Sequence, residues 1–447
     1  MSYVKSSVSF RRRSNRSRAR KRRALACIAL LLGAVALWFV VQARSSTKPP
    51  AAEQARTQPP SRVSAYDAPE WSDAERSRLW KSLHGAFVPA IAGAKGWSFA
   101  VVAPDGATLF DERANRAVAP ASAQKLIVAA TALDALGPAF RFHTLFASRD
   151  AIAEGGALDG DLWLIGSGDP SLQSADLRNG VGVLARSGLR RVGGSLVVDA
   201  SAMRGPALNA HWGAEDDGQE YAAPTSALSV DGDTAEDRPM DDVVRYVAAR
   251  VDSMLAARGI ALAAPPGVGV APLGSVVLWD HRSLPLTALE SHMLFESDNH
   301  YAEQLLRTVG EAVTGAADDD GGIAAERRYL RRLGIPAPGL RIFDGSGLSA
   351  QNRVAAITLA RLLAQSEAAL YRLLPLGGRE GTLQDYDFTT ALGRVRAKSG
   401  HLADVSSLAG YVTTRDRGRL AFAFLIDGSP GDPDAAIVQA VDRLAVY

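Results

Sequence analysis

The hydrophobic and polar positions near residue 100 alternate in the way that is typical of paired strands. Residues 97–103 are rich in β-branched and aromatic side chains, and the Pro104-Asp105-Gly106 turn separates them from a second apolar segment around residues 109–110. An apolar helical pattern then runs from about residue 123 to residue 136. The pattern therefore predicts a strand pair followed by a buried helix.

The middle of the chain, residues 146–280, has a different pattern. Glycines divide it into short apolar segments that predict strands, such as residues 162–165 and 195–199. A helical pattern over residues 241–258 lies near the end of this region. Helical patterns dominate again from about residue 284. They are interrupted at residues 317–322, where three aspartates and two glycines predict a solvated loop rather than a metal site.

The end of the chain predicts three strands and a final helix. The strands cover about residues 394–399, 407–413 and 419–426. The helix begins after Asp432, a residue type that caps helices well, and has Pro433 in its first turn.

The order of these elements predicts an α/β (α+β) fold in which one domain is split by another. We expect the split domain to cover residues 71–145 and 281–447, and a β-rich inserted domain to cover residues 146–280. A helical pattern that starts near Trp71 marks the beginning of the ordered part.

The first 70 residues read as a targeting segment and a linker. Residues 1–23 form a basic flank, with ten Lys and Arg from Lys5 onwards, and residues 24–43 contain an uncharged apolar run. That run is long enough to cross a thin membrane, with the basic flank in the cytoplasm. A cleaved signal peptide is the alternative to a transmembrane anchor, and the length of the run favours the anchor. Residues 44–70, rich in Pro and Ala, predict a linker.

Charge and cysteine content narrow the function classes. The net charge of the 447-residue chain is +2, but residues 1–44 hold 11 Lys and Arg and no acidic residue, so the remaining 39 basic and 48 acidic residues give about −9. Because the basic cluster adjoins a membrane-length apolar run, we do not expect a nucleic-acid partner. The only cysteine, Cys27, lies in that run, which excludes disulfides and cysteine nucleophiles from the body.

Three short motifs carry the candidate chemistry, whereas the HExxH and GxSxG signatures are absent. The first motif is S-x-x-K at Ser122 and Lys125, the second is S-x-N at Ser297 and Asn299, and the third is K-[ST]-G at residues 398–400. The first is weak by itself, because residues 2–5 and 45–48 also match it. Only the ordered combination of the three is specific.

Elementary chemistry supports the pairing of Ser122 with Lys125. Three residues apart on a helix, both side chains project from the same face. A serine hydroxyl needs a base, and a lysine becomes one when burial or a second cation lowers its pKa. Residues 45–447 contain only five lysines, and Lys125 and Lys398 are two of them. The structural alternatives are a helix cap for Ser122 and a solvated helix position for Lys125.

The other two motifs also have a chemical and a structural interpretation. Ser297 and Asn299 precede a helical run, where a loop can direct a hydroxyl and an amide into a cleft, or simply cap the helix. Lys398, Ser399 and Gly400 end a strand-like segment. The lysine and the hydroxyl can bind a carboxylate, and the glycine allows a substrate backbone to approach; an edge-strand lysine beside a turn is the alternative.

Taken together, these blocks resemble the serine D-Ala-D-Ala carboxypeptidase/endopeptidase family, the class C low-molecular-mass penicillin-binding proteins. The resemblance covers about residues 95–430 and implies a penicillin-binding-protein/serine β-lactamase-like transpeptidase fold with an antiparallel sheet flanked by helices. Further blocks that carry it lie at residues 120–137, 166–172, 223–228, 344–349 and 381–383.

The resemblance implies a role for each site residue. Ser122 would attack the carbonyl of the penultimate D-alanine and Lys125 would take its proton, while Ser297 and Lys398 would pass a proton to the leaving amine. Asn299, Ser399, Gly400, His401 and Asp169 would bind substrate, the last as part of the block at residues 166–172. His401 departs from the Thr or Ser that the family usually has at this position.

The resemblance also implies the partners and the location. The substrates would be peptidoglycan stem peptides that end in D-Ala-D-Ala, β-lactams would be inhibitors, and no metal or organic cofactor is implied. We expect an exported protein of the bacterial periplasm or cell envelope, attached to the cytoplasmic membrane or released after cleavage. A β-lactamase-like hydrolase and a non-catalytic penicillin- or wall-binding protein are the competing functions.

Overall fold

The computed structural model describes residues 70–235, 238–240 and 242–447. Each segment that the pattern of apolar positions assigns to a strand forms one. In chain order the strands are β1 (Gly96–Val102), β2 (Thr108–Glu112), β3 (Ala117–Val118), β4 (His143–Ser148), β5 (Ala157–Leu158), β6 (Leu162–Ile165), β7 (Arg191–Val192), β8 (Leu196–Asp199), β9 (Thr234–Ala235), β10 (Arg238–Pro239), β11 (Ala261–Leu262), β12 (Gly267–Val268), β13 (Val276–Arg282), β14 (Val354–Ala355), β15 (Val395–Leu402), β16 (Val405–Thr413) and β17 (Arg419–Asp427).

The predicted α-helices form as well, and the structure adds a helix at Ser174–Arg186 that was not predicted. Asp432 caps the last helix and Pro433 stands in its first turn, as the sequence predicts. In chain order the helices are α1 (Asp73–Ile91), α2 (Lys125–Leu136), α3 (Ser174–Arg186), α4 (Val243–Ala256), α5 (Leu286–Glu296), α6 (Asn299–Thr314), α7 (Asp319–Arg332), α8 (Ala356–Leu370) and α9 (Pro433–Ala445).

A five-stranded antiparallel sheet in the order β15-β16-β17-β1-β2 forms the centre of the fold. Its strands are buried along most of their length, because helices cover both faces. Apolar side chains of α1 and α9 pack on one face, where Phe87 stacks on Phe99 and the Phe424 ring meets both edge-on. Helices α2, α5, α6 and α8 pack with the other face. The predicted antiparallel sheet between helices is confirmed.

The strands of residues 143–282 form sheets of their own. One has the order β12-β8-β6-β4-β13 and a smaller one the order β11-β7-β5, and apolar side chains of α3 and α4 share a separate buried cluster with them. Strands β4 and β13 each cross one of the boundaries expected at residues 145/146 and 280/281. The division into a split domain and an inserted domain stays a prediction.

The basic flank (residues 1–23), the apolar segment (24–43) and all but the last residue of the linker (44–70) lie outside the described residues. Among the residues that are described, no helix is both long and apolar enough to span a membrane.

The prediction of a solvated loop at residues 317–322 is wrong. Asp318 caps α7 by accepting a hydrogen bond from the Gly321 amide, and Asp319 in the first helical turn forms an ion pair with the buried Arg307 at 2.7 Å. The aspartates suit a helix start because acidic side chains there are stabilised by the helix dipole.

Two glycines of this aspartate-rich segment are needed for close helix packing. A Cβ atom on Gly322 would lie 2.4 Å from the carbonyl oxygen of Leu306 in α6, and one on Gly321 would lie 2.1 Å from the carbonyl oxygen of Ala316. Both contacts are with backbone atoms, which cannot rotate away. Helices α6 and α7 therefore approach each other at a distance that only glycine permits, and α6 begins with Asn299.

We expect Gly322→Ala to destabilise the protein by about 1–3 kcal/mol, because the added methyl group must push α7 away from α6. Gly85→Ala is the matched control: Gly85 also lies within a helix, but its Cβ would meet only the flexible end of Arg443 at 3.5 Å. This control should be neutral or slightly stabilising, since alanine favours helix more than glycine does. Thermal unfolding of both variants tests the expectation, and an unchanged midpoint for Gly322→Ala would contradict it.

Candidate active site

Ser122 lies in a short 3₁₀ turn, Ala121–Gln124, that leads directly into α2. The turn is entered through Ala121, whose φ of 46° is in the left-handed region that non-glycine residues rarely adopt. The chain then turns so that Lys125, the first residue of α2, comes to lie on the same side as Ser122. The Nζ atom of Lys125 is 2.9 Å from the Ser122 hydroxyl oxygen, which confirms that the two side chains share one face.

Lys125 is fully buried and has three hydrogen-bond acceptors. Besides the Ser122 hydroxyl, its Nζ atom donates to Asn299 Oδ1 at 2.7 Å and to the Ser346 carbonyl oxygen at 2.7 Å. Burial lowers the pKa of Lys125 to about 8, although the carboxyl groups of Glu303, Asp344 and Asp298 act in the opposite direction. The neutral amine is therefore a minor species at pH 7 and becomes the major one above about pH 8.

The third motif lies on β15, an edge strand of the central sheet. Lys398 is buried, and its Nζ atom donates to the carbonyl oxygen of Ser399 at 2.7 Å. Burial, followed by the positive charge of Lys125, holds the pKa of Lys398 well below its usual value. The Ser399 hydroxyl donates to Thr382 Oγ1 at 2.8 Å. The positive charge of Lys125 thus disfavours the charged form of Lys398.

Gly400 has a more specific function than the sequence indicates. A Cβ atom at this position would lie 2.7 Å from the amide nitrogen of Ser122 and 2.9 Å from that of Ala123. The close approach is between β15 and the turn that carries Ser122, and the Ser407 hydroxyl on the next strand also donates to the Pro120 carbonyl at 2.7 Å. The glycine therefore lets the strand and the serine turn come together.

Ser297 and Asn299 lie where α5 ends and α6 begins. Ser297 terminates α5 in a left-handed conformation with a φ of 60°, and Asp298 caps α6 through the Tyr301 amide at 3.1 Å. Asn299 Oδ1 accepts from Lys125, and Asn299 Nδ2 donates to the Tyr221 carbonyl at 2.9 Å. The second motif is thus joined to the first by a direct hydrogen bond.

Four of the predicted site residues line one cleft with a volume of about 870 Å³: Ser122, Ser297, Asn299 and His401. His401 is half-exposed at its rim, and its Nε2 atom lies 3.0 Å from Asp434 Oδ2. This hydrogen bond holds the pKa of Asp434 below its usual value. Trp212, Tyr221 and Arg353 also line the cleft.

Asp169 is not brought to this cleft. Its carboxylate is buried, and Oδ1 accepts from the amide and the hydroxyl of Ser171 at 2.9 and 2.6 Å. Its Oδ2 atom lies 3.7 Å from the imidazole Nε2 atom of His281. Its contacts are those of a structural turn, so the position of Asp169 gives no support to the prediction that it binds substrate.

Sequence reasoning missed the residues that position Lys125 through the turn at Ser346, whose carbonyl accepts from its amine. Asp344 is fully buried and accepts from the amides of Gly347 at 2.9 Å and Ser349 at 2.6 Å, which shapes the turn that presents the Ser346 carbonyl. Glu303 binds the same turn from α6. One signal was available, since Glu303 follows Asn299 by one helical turn and so faces the same side.

The described residues contain no group of three or more His, Cys, Asp or Glu side chains arranged to hold a metal ion. The chemistry that this arrangement can perform is nucleophilic. It has a serine hydroxyl, a buried amine in contact with it, a second buried amine, and a cleft that admits a peptide.

Comparison with known proteins agrees with this geometry. The family model "D-Ala-D-Ala carboxypeptidase 3 (S13) family" matches residues 86–239 and 234–446. A D-alanyl-D-alanine carboxypeptidase of Actinomadura sp. (strain R39) is 29% identical, over 80% of this chain and 82% of its own length. Carboxypeptidase DacB of Mycolicibacterium smegmatis is 30% identical, over 76% of this chain and 77% of its own.

Solved structures show the same fold. The crystal structure of penicillin-binding protein 4 (dacB) from Haemophilus influenzae superposes with a TM-score of 0.74 at 23% identity, covering 82% of this chain and 99% of that chain. The predicted penicillin-binding-protein fold is thereby confirmed. The family model matches well over half of the chain, and the chain therefore belongs to the S13 family of D-Ala-D-Ala carboxypeptidases.

Proposed function

We propose that this protein hydrolyses peptidoglycan stem peptides that end in D-Ala-D-Ala, with Ser122 as the nucleophile and an acyl-enzyme as the intermediate. The observation that carries the proposal is the 2.9 Å contact between Lys125 Nζ and Ser122 Oγ in a buried environment. Membership of the S13 family supports the same reaction. The protein is thus a serine-type peptidase in this proposal, and it needs no cofactor.

Lys125 is the general base of the proposed acylation. A base must be within hydrogen-bond reach of the proton that it takes and must be unprotonated in part at the working pH. Lys125 meets the first condition by its distance and the second because burial lowers its pKa to about 8. An arginine at this position could not become neutral.

Ser297 and Lys398 return the proton to the departing amine of D-alanine. Ser297 lines the cleft with Ser122, and the depressed pKa of Lys398 allows its amine to exchange a proton rather than remain a fixed charge. Asn299 keeps Lys125 in place through Oδ1. Because Nδ2 has two hydrogens and Tyr221 uses one, the other is available to a substrate carbonyl.

The strand β15 binds the substrate on the other side of Ser122. Ser399 and Lys398 provide a hydroxyl and an amine as hydrogen-bond donors for a terminal carboxylate, and Gly400 keeps the strand close to Ser122. The amides of Ser122 and His401 form the oxyanion hole of this proposal, in which each donor is worth about 10²–10³ in rate. The imidazole of His401, held by Asp434, stands at the rim where the substrate enters.

The relatives indicate which partners to test. The Haemophilus influenzae protein has been solved in complex with a β-lactam, and a solved relative from Bdellovibrio bacteriovorus is a peptidoglycan endopeptidase. We propose that this chain has carboxypeptidase activity, endopeptidase activity or both, and that β-lactams acylate Ser122. The expected location is the bacterial cell envelope, with residues 1–43 directing export to the periplasmic side and either anchoring the protein in the cytoplasmic membrane or being removed.

We expect the protein to release D-alanine from a pentapeptide muropeptide or to cleave a cross-linked muropeptide dimer, and Ser122→Ala to abolish both reactions. Loss of the nucleophile removes the covalent route, so the rate should fall by several orders of magnitude. Ser253→Ala is the matched control, because Ser253 lies on α4 and its hydroxyl only donates to the Ala249 carbonyl at 3.0 Å.

Two measurements decide between the candidate functions: chromatography of the muropeptide products, and the reaction of the protein with a fluorescent penicillin. A stable adduct on Ser122 with slow turnover supports the peptidase. Fast hydrolysis of the penicillin without an adduct would favour a β-lactamase-like enzyme. A stable adduct without cleavage of either muropeptide would leave only a penicillin-binding function.

The rate of Ser122 acylation should rise as the pH increases through the pKa of Lys125, about 8, because only the neutral amine accepts the serine proton. Between about pH 6 and pH 9, stopped-flow measurements with the fluorescent penicillin should show a sigmoidal increase that levels off at the alkaline end. Lys125→Arg, which keeps the charge and removes the titration, should lower the rate by about 10²–10⁴ at every pH. A flat profile in the wild-type protein would refute Lys125 as the base.

A further inference from the structure

Glu303 is a buried carboxyl group on α6 that has no part in the reaction proposed above. It stands one helical turn after Asn299, so both side chains lie on the face of α6 that is turned toward Lys125. Its side chain is almost completely buried. A carboxyl group in such a place needs polar partners, because burying one without them is costly.

The partners of Glu303 are two successive backbone amides. The amide of Gly345 donates to both carboxyl oxygens, at 3.1 and 3.0 Å, and the amide of Ser346 donates to Oε1 at 2.8 Å. The carbonyl of the same residue, Ser346, accepts from Lys125 Nζ at 2.7 Å. A continuous chain of short contacts thus connects Glu303 to the amine that contacts Ser122.

The turn between Glu303 and Lys125 has little freedom to move. Asp344 holds it from the far side through the amides of Gly347 and Ser349. A Cβ atom on Gly345 would lie 2.8 Å from the Ala302 carbonyl oxygen, so the turn already touches the backbone of α6. A change in the length or the hydrogen bonding of Glu303 must therefore reach the Ser346 carbonyl.

Glu303 also influences the protonation of Lys125. Among the charged groups that oppose the effect of burial on Lys125, Glu303 has the largest influence, ahead of Asp344 and Asp298. Burial, together with Asp344 and Asp319, raises the pKa of Glu303 to about 8, and hydrogen bonding with Ser346 and with the Gly345 amide counteracts this rise. The amine and the carboxyl group therefore titrate in the same pH range, inside the same buried region.

We propose that Glu303 is a positioning residue for the lysine base, which holds the Gly345–Ser346 turn so that the Ser346 carbonyl keeps the Lys125 amine directed at Ser122. The inference rests on the proposed role of Lys125 as the base and adds the element that sets its geometry. Glu303 itself does not touch the reacting atoms.

A second buried carboxyl group provides a matched control. Glu326 on α7 is as buried as Glu303 and accepts a hydrogen bond from Gln124 Nε2 at 3.3 Å, and among the described residues it forms no hydrogen bond with Gly345 or Ser346. Burial raises the pKa of Glu326 well above its usual value, which favours the neutral carboxyl group that glutamine resembles. Glu326→Gln therefore measures how acylation responds when a buried carboxyl group away from the Gly345–Ser346 turn is replaced by an amide.

The experiment measures the rate of Ser122 acylation by a fluorescent penicillin from about pH 6 to pH 9 in the full chain, for the wild type, Glu303→Gln, Glu303→Asp and Glu326→Gln. In Glu303→Gln, the amide group must face one of the backbone amides, so the turn loses an acceptor. We expect the plateau rate to fall about 10-fold to 100-fold, the cost of a small misplacement of a catalytic group.

The acidic limb of the Glu303→Gln profile should also move to lower pH, because Glu303 raises the pKa of Lys125 to the extent that it is ionised near pH 8, and glutamine cannot ionise. Glu303→Asp keeps the charge but is one methylene shorter, so it should be slower with its acidic limb unmoved. Glu326→Gln should match the wild type in rate and profile.

Several results would overturn the proposal. It fails if Glu303→Gln is acylated with the wild-type rate and pH profile. It also fails if Glu303→Gln is slower but its acidic limb does not move, because that result indicates general destabilisation. Thermal unfolding checks that each variant is folded. If Glu303→Gln does not fold, Glu303→Asp decides, and a wild-type rate in that variant overturns the proposal. Failure of the wild type to be acylated is a different result, which refutes the proposed function itself.

Discussion

The burial of a single lysine side chain is the constraint on which the active site depends. Removing an amine from water is costly unless acceptors replace the water, and Lys125 receives three of them from three separate parts of the chain. One is the serine three residues before it, one is the first residue of α6, and one is a backbone carbonyl more than two hundred residues away. The site assembles because each of these parts must be in place to satisfy the same amine.

The same constraint explains why the surrounding interior is rich in carboxyl groups. Glu303 and Asp344 shape the turn behind Lys125 with hydrogen bonds from backbone amides, and their charges counteract the desolvation of the amine. Lys398 lies near the positive charge of Lys125 instead, which adds to the effect of burial in lowering its pKa. The two lysines of the site are therefore different chemical groups, although both are buried.

How much of this could be read from the sequence depends on the range of the interaction. Ser122 and Lys125 were predicted to meet because helix geometry relates residues three apart, and the Asp432-Pro433 start of the last helix was predicted for a similarly local reason. The residues at 317–322 were misread because their glycines looked like loop formers. Gly322 is required instead by the close contact of α7 with α6, and no pattern in the local sequence indicates that contact.

The contribution of Ser346 could not have been predicted, because it acts through a carbonyl that every residue possesses. For Asp169 the resemblance to a family block predicts substrate binding, and its contacts with Ser171 neither require nor test that role. The composition gave a more useful signal in the scarcity of lysine, since two of the five lysines after residue 44 lie in the site.

The left-handed backbone conformations of Ala121 and Ser297 limit how the protein can gain stability. Ala121 precedes Ser122 with a φ of 46°, and Ser297 has a φ of 60°. A non-glycine residue in such a conformation costs on the order of 1–3 kcal/mol, which the rest of the fold must supply. Glycine would relieve the strain at position 297 only by deleting the hydroxyl. Selection for heat resistance and selection for turnover therefore act against each other at this residue, and a thermostable descendant of this protein would have to gain its stability elsewhere.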